Sequence, residues 1–511
     1  MRKLRLPVDL MICAALLLGP SGCGAGGGSA AGNGTPPSAA VITPLPTALL
    51  TAGDVRNLIA GAVTQAVRDG QPEVIAVVDR EGSVLGVFAM ANAPAVSPDG
   101  DPINALINGG QSSTIQIAIE KARTAAFLSS DQNAFSTRTA LEITQPHFPP
   151  GVVNSPPGPL FGLQYSSLPC SKVQPNGNGL TGALGGIPVY VSGALAGGIG
   201  ADATGGEEDE VVALAGADAG YAAPASIVAS NVLLDGIRLD WIGERTPSAL
   251  SPIAFGALPG TIAPAYPVQA APPLSFPQAT LAGVPGELRF PIVSSPMAGG
   301  LTAGDVTTIL TQALEIERTT RSALRLPIDL PVRMQVGVTD LQGNILGLFR
   351  TNDATMFSLD IVVQKDLTVT AFSDPAQLLA QQLEQTLGAP PGLAITTRTT
   401  DFLAQPFYPP GIDGTAPGPL YQIQQQFYAQ NPTACLPSGE GLTVFPGSVP
   451  LFKNGALVGA LGVSGDGVDQ DDYVTYFGAQ GFLPPPGRWA STITYRGTPL
   501  PFLKFPRQPN L

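Results

Sequence analysis

Histidine is almost absent from this sequence, because its 511 residues include only one, His147. Mechanisms that activate serine or cysteine through a histidine base therefore have little material. The sequence also has no G-x-S-x-G, H-E-x-x-H, C-x-x-C or P-loop motif. These motifs carry acyl transfer, metal-assisted hydrolysis, redox chemistry and nucleotide binding. Their absence favours a non-enzymatic protein and leaves open an enzyme of another design.

Charged residues are also scarce, at 12% of the chain, and acidic residues outnumber basic ones by 38 to 25. A net charge of −13 argues against nucleic acid or anionic lipid as a partner, because this surface would release no counterions from either. Hydrophobic residues reach 44%, and the chain contains 61 Gly and 52 Pro. This composition indicates large buried cores joined by Gly- and Pro-rich loops, in roughly two to four domains.

The N-terminus has the pattern of an export signal. Three basic residues precede the apolar run at residues 10–18, which is shorter than the roughly 20 residues of a membrane-spanning helix. The sequence PSGC that follows resembles the lipidation motif of bacterial lipoproteins, with Pro20 at the position where Leu is usual and Cys23 as the modified residue. We predict a signal peptide over residues 1–22, a flexible tether over 23–48 and a lipid-anchored protein of the periplasm or outer envelope. Plain secretion is the alternative.

The rest of the sequence consists of two tandem copies of one unit. The segment LTAGDV begins at Leu50 and again at Leu301, and a Pro-rich segment at residues 137–162 returns at residues 397–422. Repetition of separate motifs at a nearly constant offset indicates a tandem duplication. We therefore predict two domains, 49–245 and 299–511, joined by a Pro-rich linker over 246–298.

Each unit has the same predicted order of elements. A capping box at Thr51 and Asp54 starts a helix, a hairpin follows, and a second helix covers about residues 112–128. A long ordered loop, a second hairpin and a third helix complete the unit. The order α-β-β-α-loop-β-β-α predicts an antiparallel sheet flanked by helices, class α+β. An extra strand is expected after each third helix, within residues 229–242 and 490–500.

Two lysines at corresponding places are candidates for anchoring a carboxylate or propionate group. Lys121 is followed by Thr124 and Lys365 by Thr368, and residues three apart lie on one face of a helix. The correspondence requires a shorter connection before the second helix of the second unit. The alternative is that these side chains only border the sheet.

The Pro-rich segments share one charged position, Arg138 in the first and Arg398 in the second. An arginine fork suits recognition of a carboxylate, although it can also fix the loop to backbone carbonyls or to an acid. His147 is a candidate ligand for a metal or haem iron, or a general base, but its counterpart is Phe407. The features common to both segments are proline, aromatic and arginine residues, which indicate a stiff, apolar shape.

Two further sets of residues also occur in both units. Acidic runs at residues 207–210 and 466–472 suit either calcium ligation or the first turn of a helix, where the helix dipole favours acids. Cys170 and Cys435 occupy matching places, and two thiols in an oxidising compartment are often paired. An inter-domain disulfide and two free thiols both remain open.

Several motifs in each unit resemble the haem-binding domain of the GlcG/HbpS-like family, also called the haem-degrading domain. In the first unit these are VVDREGSVLGVF, STIQIAIEKARTAAF and GGIPVYVSGALAGGIGADATGGEEDE, and in the second GVTDLQGNILGLF and VPLFKNGALVGALG. The resemblance implies a profilin-like α+β fold, haem as the ligand and two units that pack as a pseudo-dimer. It also implies a ligand role for Arg350, which belongs to an Arg-x-Asp-like pattern at the end of the hairpin.

Haem binding would require an axial ligand to the iron. The candidates in this sequence are His147 and the oxygen and sulfur donors Tyr165, Tyr190 and Met90. The function expected from the whole sequence is that of an exported, non-enzymatic protein that binds a small apolar or carboxylated molecule, for which the resemblance implies haem. The alternatives are an envelope interaction module without a ligand and an accessory enzyme acting on haem or a small acid.

Overall fold

The computed structural model describes residues 48–98, 111–166, 170–174, 179–204, 206–273, 275–422, 436 and 439–511. The predicted signal peptide, almost all of the predicted tether, Cys23 and Cys435 lie outside the described residues. Within the described part of the chain, the structure shows no helix with the length and apolar character needed to cross a membrane.

The first half of the chain, which here means residues 48–273, forms a five-stranded antiparallel sheet and the helices that flank it. The helices are α1 (Ala52–Asp69), α2 (Thr114–Phe127), α3 (Thr137–Ile143) and α4 (Glu207–Ala217). The strands are β1 (Val74–Asp79), β2 (Val84–Met90), β3 (Val96–Pro98), β4 (Gln111–Ser113), β5 (Gly186–Val191), β6 (Ala194–Asp202), β7 (Leu233–Leu234), β8 (Ile237–Arg238) and β9 (Gly260–Ile262). The sheet order is β5-β6-β1-β2-β9, while β3 pairs with β4 and β7 with β8.

The second half, which here means residues 275–511, repeats this arrangement with a six-stranded sheet. Its helices are α5 (Ala303–Glu317), α6 (Phe357–Ser373), α7 (Leu378–Leu387), α8 (Thr397–Leu403) and α9 (Val468–Gly478). Its strands are β10 (Gln278–Leu281), β11 (Val284–Phe290), β12 (Gln335–Asp340), β13 (Ile345–Thr351), β14 (Ser448–Lys453), β15 (Ala456–Ser464), β16 (Thr494–Tyr495) and β17 (Thr498–Pro499). The sheet order is β10-β11-β13-β12-β15-β14, and β16 pairs with β17.

The duplication is visible in the pairing of the strands. The register of the first hairpin shifts at Val77/Val78, and that of its counterpart shifts at the equivalent Val338/Thr339. The second hairpins shift at Val189/Tyr190 and at Leu451/Phe452. Each sheet takes its strands from one half of the chain. The predicted α+β class, with two tandem antiparallel sheets flanked by helices, is therefore confirmed.

Local sequence signals explain where several elements begin and turn. Both capping boxes form, one at Thr51 with Asp54 and the other at Thr302 with Asp305. The turn between β14 and β15 has positive φ at both Asn454 (52°) and Gly455 (81°). A turn with positive φ at both central residues matches the twist of a tight hairpin, which is why the Asn-Gly pair predicts it correctly.

The extra strands predicted after the third helices are wrong as stated. Residues 229–242 and 490–500 each form a short turn followed by a hairpin whose two strands have two residues each. These hairpins are β7–β8 and β16–β17, and neither of them joins a main sheet. The chain reverses at Asp235-Gly236 and at Arg496-Gly497, where all four residues have positive φ. A turn in the middle of each segment prevents one continuous strand.

The two Pro-rich segments and the predicted linker contain more regular structure than expected. Each segment starts with a short helix, α3 or α8, before the loop begins. Residues 246–298 supply β9 to the edge of the first sheet and the β10–β11 hairpin to the edge of the second. This stretch therefore extends both sheets as well as connecting them.

The two halves pack on each other within one compact unit. One hydrophobic cluster combines side chains of both halves, including Phe127 and Phe135 from the first and Phe357 and Phe372 from the second. Packed aromatic side chains contribute most of the apolar area that such a contact removes from water. The space between the halves is therefore partly filled with apolar side chains.

Candidate functional site

The repeated Thr-Arg-Thr sequence connects α3 and α8 to their sheets. The Thr137 hydroxyl accepts a hydrogen bond from the Gly186 backbone N–H at 2.9 Å, and the Thr397 hydroxyl accepts one from Ser448 at 2.9 Å. These contacts hold the first turn of each short helix against the first residues of β5 or β14. The recurring threonines thus have a structural role that is the same in both halves.

The arginines of this sequence bind the acidic runs. Arg138 Nε lies 3.0 Å from Glu210 Oε1, and Arg398 Nε lies 2.7 Å from Asp472 Oδ2. Arg398 also donates to Asp469 at 2.6 Å. All four acids of the first run lie in the first turn of α4, and Asp469 and Asp471 of the second run lie in the first turn of α9, as the helix-dipole interpretation predicts. No group of three His, Cys, Asp or Glu side chains that could hold a metal is found among the described residues.

Lys121 lies wholly inside the first half. Its ammonium group donates to Ala201 O at 3.1 Å and to carboxylate oxygens of Asp202 and Asp209 at 2.7 Å each. Burial alone would lower the pKa of Lys121, but Asp209 and Asp202 outweigh this effect and raise it. Because all three N–H donors are used, Lys121 has none left for the ligand contact that the sequence predicted.

Lys365 is the counterpart of Lys121 but has a poorer environment. It donates to Val463 O at 2.7 Å and to Asp471 at 2.8 Å. The position of Asp202 is taken by Ser464, so only one carboxylate is in contact. Burial lowers the pKa of Lys365, which Asp471 offsets only in part. The shorter connection assumed for this pairing is present, because only five residues separate β13 from α6.

The remaining predicted ligand residues contact the protein itself. Thr124 and Thr368 accept hydrogen bonds from the backbone N–H groups of Thr181 and Thr443, at 2.9 and 3.0 Å. Arg350 donates twice to Ala354 O, at 2.7 and 3.0 Å, and lies 2% exposed. The structure does not bring these three side chains together.

A cleft of about 950 Å³ lies between the two halves. Its volume falls within the roughly 300–1,000 Å³ usual for sites that bind small molecules. The first half contributes one apolar wall, formed by Phe135, Phe148, residues 156–160 and the β7–β8 hairpin. The second half contributes the other wall, which includes the aromatic side chains Phe357, Phe402, Phe445 and Phe505.

The charged side chains of the cleft lie mainly on its second-half wall. Four cations line it, namely Lys365, Arg398, Lys504 and Arg507. Lys504 is 2.8 Å from Asp469, while Arg507 is exposed and makes no ion pair within the described part of the chain. Arg507 is therefore a guanidinium group at the mouth of the cleft with its donors available to a ligand.

Four acids balance these cations at high pH. They are Asp235, Asp401, Asp469 and Asp471. Burial raises the pKa of Asp401 and that of Asp471 to about 7, although Arg398 and Lys365, respectively, counteract the effect. The cleft therefore gains net positive charge as the pH falls from 8 to 6.

The sequence matches one protein-family model, described as haem degrading protein HbpS-like. The matched residues are 105–218 and 310–480, one region in each half and together more than half of the chain. The chain belongs to the HbpS-like family. The predicted family and its tandem occurrence are thereby confirmed.

Solved structures similar to this HbpS-like chain each cover about a third of it. The PduOC:heme complex is 20% identical and covers 36% of this chain and 95% of its own, with a TM-score of 0.24. The Klebsiella pneumoniae protein ORFY is 22% identical, with coverages of 34% and 92% and a TM-score of 0.24. A double mutant of Streptomyces reticuli HbpS is 23% identical, with coverages of 36% and 97% and a TM-score of 0.22. No curated protein matches the sequence significantly.

The name of the HbpS-like family implies haem, whose iron needs an axial ligand from His, Cys, Met or Tyr. None of these residue types is among the described residues that line the cleft. His147 stacks on its own counterpart Phe407, with 5.8 Å between ring centroids, and its Nδ1 lies 3.1 Å from Ser155 O. The cleft therefore fits an apolar ring with acidic groups and does not fit an iron atom.

The other candidate iron ligands are also engaged elsewhere. The Tyr190 hydroxyl is buried and donates to Ser130 O at 2.8 Å, and the Met90 sulfur accepts from Glu73 N at 3.4 Å. The side chain of Tyr165 lies outside the described residues. Cys170 is disulfide-bonded. Its predicted partner Cys435 is outside the described residues, so the pairing between them stays a prediction.

Sequence reasoning found two cleft residues, Lys365 and Arg398, and missed most of the others. Lys504, Phe505 and Arg507 belong to the C-terminal sequence LKFPRQ, where two cations lie close to an aromatic ring. Because the chain contains few charged residues, two basic residues beside a phenylalanine and a proline could have indicated a candidate binding segment. Asp401 carried no such signal, because its counterpart in the first half is Leu141.

Proposed function

We propose that this protein binds a flat, apolar small molecule that carries carboxylates, of the tetrapyrrole class, in the cleft between its halves. The cleft carries this proposal, because it combines aromatic walls from both halves with cations at its mouth. Membership of the HbpS-like family supports the tetrapyrrole class. Binding without conversion is proposed because the described lining contains no histidine or cysteine, and because Lys365 and Asp471 are paired with each other while Asp401 accepts from Gln405.

The walls supply the greater part of the binding free energy. A ring system inserted between Phe148 and Phe445 would lose most of its apolar surface to the protein, at about 25 cal/mol for each Å² removed from water. Phe505 extends this surface to the mouth, where it is 41% exposed and packs edge-on against Tyr473 at 5.4 Å between centroids. An exposed phenylalanine at the rim of a cleft suits contact with a ligand.

The cations orient the acidic edge of the ligand. Arg507 has free donors, and Arg398 donates through Nε and Nη2 but makes no hydrogen bond through Nη1 within the described residues. A guanidinium group recognises a carboxylate through two parallel hydrogen bonds. The carboxylates of the ligand would therefore lie towards the C-terminal segment, and its apolar edge towards the first half.

This function predicts that Arg507→Glu weakens binding of a carboxylated porphyrin at least tenfold. The loss of one cation and the gain of one anion both oppose the ligand, while the fold keeps all its contacts because Arg507 makes none with an acid. Titration of hemin into the protein, followed by the Soret band, measures the affinity. Binding to the unchanged protein is also expected to be tighter at pH 6 than at pH 8, because Asp401 and Asp471 become neutral.

Arg56→Glu is the matched control, because Arg56 is an exposed arginine outside the cleft. The two variants have the same net charge, so a difference between them reports the cleft and not the overall charge of the protein. Equal affinities of the two variants, or no saturable binding of hemin to the unchanged protein, would rule out the proposed site.

We also propose that the protein is exported and lipid-anchored at Cys23, with its two halves acting as a fused dimer. The basic and apolar N-terminal pattern supports export, and so does the disulfide at Cys170, since disulfides persist in oxidising compartments. After expression of the full chain in a bacterium, the protein should fractionate with membranes, and Cys23→Ser should release it. Retention of the unchanged protein in the cytoplasm would contradict export.

A further inference from the structure

We infer that the cleft recognises the apolar face and the carboxylates of its ligand and not a metal, so that a metal-free porphyrin binds as tightly as haem. This inference rests on the proposed function and names the chemical features of the ligand that the cleft recognises. It follows from the side chains that line the cleft, which are apolar, basic, acidic or neutral polar and include no His, Cys, Met or Tyr among the described residues.

His147 is the nearest candidate for an iron ligand in the sequence, because Phe148 beside it lines the cleft. Its ring has another role at the contact between the halves. It stacks on Phe407, its Nδ1 is bonded to Ser155 O, and its Nε2 lies 3.6 Å from Asp413 Oδ1. Moving the ring into the cleft would break the stacking, the hydrogen bond and the contact with Asp413 together.

Three of the four acids that line the cleft are held by protein partners, while the fourth, Asp235, is exposed on the turn between β7 and β8. Asp401 accepts from the side-chain amide of Gln405 at 2.8 Å, one helical turn away. Asp469 pairs with Arg398 and Lys504, and Asp471 pairs with Lys365. A carboxylate that turned towards a metal would leave these cations unpaired in a partly buried site, at a cost in free energy.

The remaining contacts available to a ligand do not depend on a metal. Aromatic and proline side chains contact the face of a ring system, and Arg398 and Arg507 contact its acidic edge. The face of the ring system and the two carboxylates are the same in hemin and in protoporphyrin IX. The affinity of the cleft is therefore set by groups that the two molecules share.

The test compares hemin with protoporphyrin IX on the full protein, by titration of each and by competition between them. The two dissociation constants are expected to agree within about threefold, and each molecule should displace the other. A preference for hemin of tenfold or more would overturn the inference and show that the iron has a protein ligand. Absence of binding by both molecules would instead overturn the proposed function.

The His147→Phe variant provides a second, independent measurement. Phenylalanine is the residue at the equivalent position of the second half and preserves an aromatic ring against Phe407. Hemin affinity and the position of the Soret band of the complex are expected to stay unchanged. A shifted Soret band together with tenfold weaker binding of hemin, but not of protoporphyrin IX, would identify His147 as an iron ligand and contradict the inference.

Discussion

Lys121→Met is expected to lower the free energy of unfolding by about 3–5 kcal/mol, whereas the equivalent change Lys365→Met should lower it by only about 1–2 kcal/mol. Lys121 neutralises two fully buried carboxylates, Asp202 and Asp209. Its removal leaves two buried carboxylates close together without a cation, so a negative charge stays unpaired even if Asp202, whose pKa is raised by burial, takes up a proton. Lys365 neutralises one carboxylate, that of Asp471. Urea denaturation of each variant measures the difference.

The protonation of Asp471 explains why Lys365→Met is expected to lower the free energy of unfolding less than Lys121→Met. Burial raises the pKa of Asp471 to about 7, so this group takes up a proton at little cost near neutral pH. A carboxyl whose pKa is raised by folding destabilises the native state as the pH rises through that pKa, and not as it falls. The cost of Lys365→Met should therefore shrink further at pH 5.5 and grow at pH 8.5.

Two controls separate this explanation from a general effect of losing a lysine. Lys504→Met removes an ion pair whose lysine side chain is 61% exposed, and less than about 1 kcal/mol should be lost. Asp202→Ser in the Lys121→Met protein reproduces the composition of the second half, where Ser464 is present, and should recover part of the loss. Equal losses for Lys121→Met and Lys365→Met would contradict the account.

The parts of the fold that the sequence predicts are those specified by local signals. The capping box at Thr51 and the Asn454-Gly455 turn act within a few residues, so their structural effect can be derived without the rest of the chain. The duplication adds a second copy of each signal, which fixes the order of elements in both halves. The small hairpin at Asp235-Gly236 carries a signal of the same kind, which outweighs the apolar residues that favour a longer strand over 229–242.

The cleft is different because it depends on contacts between residues far apart in the sequence. Phe148 and Phe445 line the same space only after the two halves have packed together, and no periodicity of either segment specifies that arrangement. Similarly, the spacing of Lys121 and Thr124 indicates one helix face but does not show that this face is buried against two aspartates. Burial of a cation is unusual enough that sequence alone favours the exposed interpretation.

Arg325→Met is expected to lower the free energy of unfolding by about 3–5 kcal/mol, because Arg325 joins the two halves from a fully buried position. Its guanidinium group lies 2.7 Å from Asp353 Oδ2, contacts the Asp466 carboxylate and donates to Ser130 in the first half at 3.2 Å. Methionine fills most of the space but leaves Asp466 without its cation. Chemical denaturation followed by circular dichroism measures the loss.

The penalty arises from the buried carboxylate more than from the lost hydrogen bonds, and a double variant distinguishes the two. Asp353 keeps a second cation, because Arg80 of the first half lies 2.8 Å from its Oδ1, whereas burial raises the pKa of Asp466 and Arg325 is the main group that counteracts this. Adding Asp466→Asn to Arg325→Met should therefore restore at least about 1 kcal/mol. Arg68→Met, which removes an arginine that is 51% exposed, should cost less than about 1 kcal/mol. If Arg325→Met costs no more than Arg68→Met, the contacts of Arg325 do not stabilise the packing of the two halves, and the apolar cluster and the ion pairs of Arg80 and Arg289 must supply that stability.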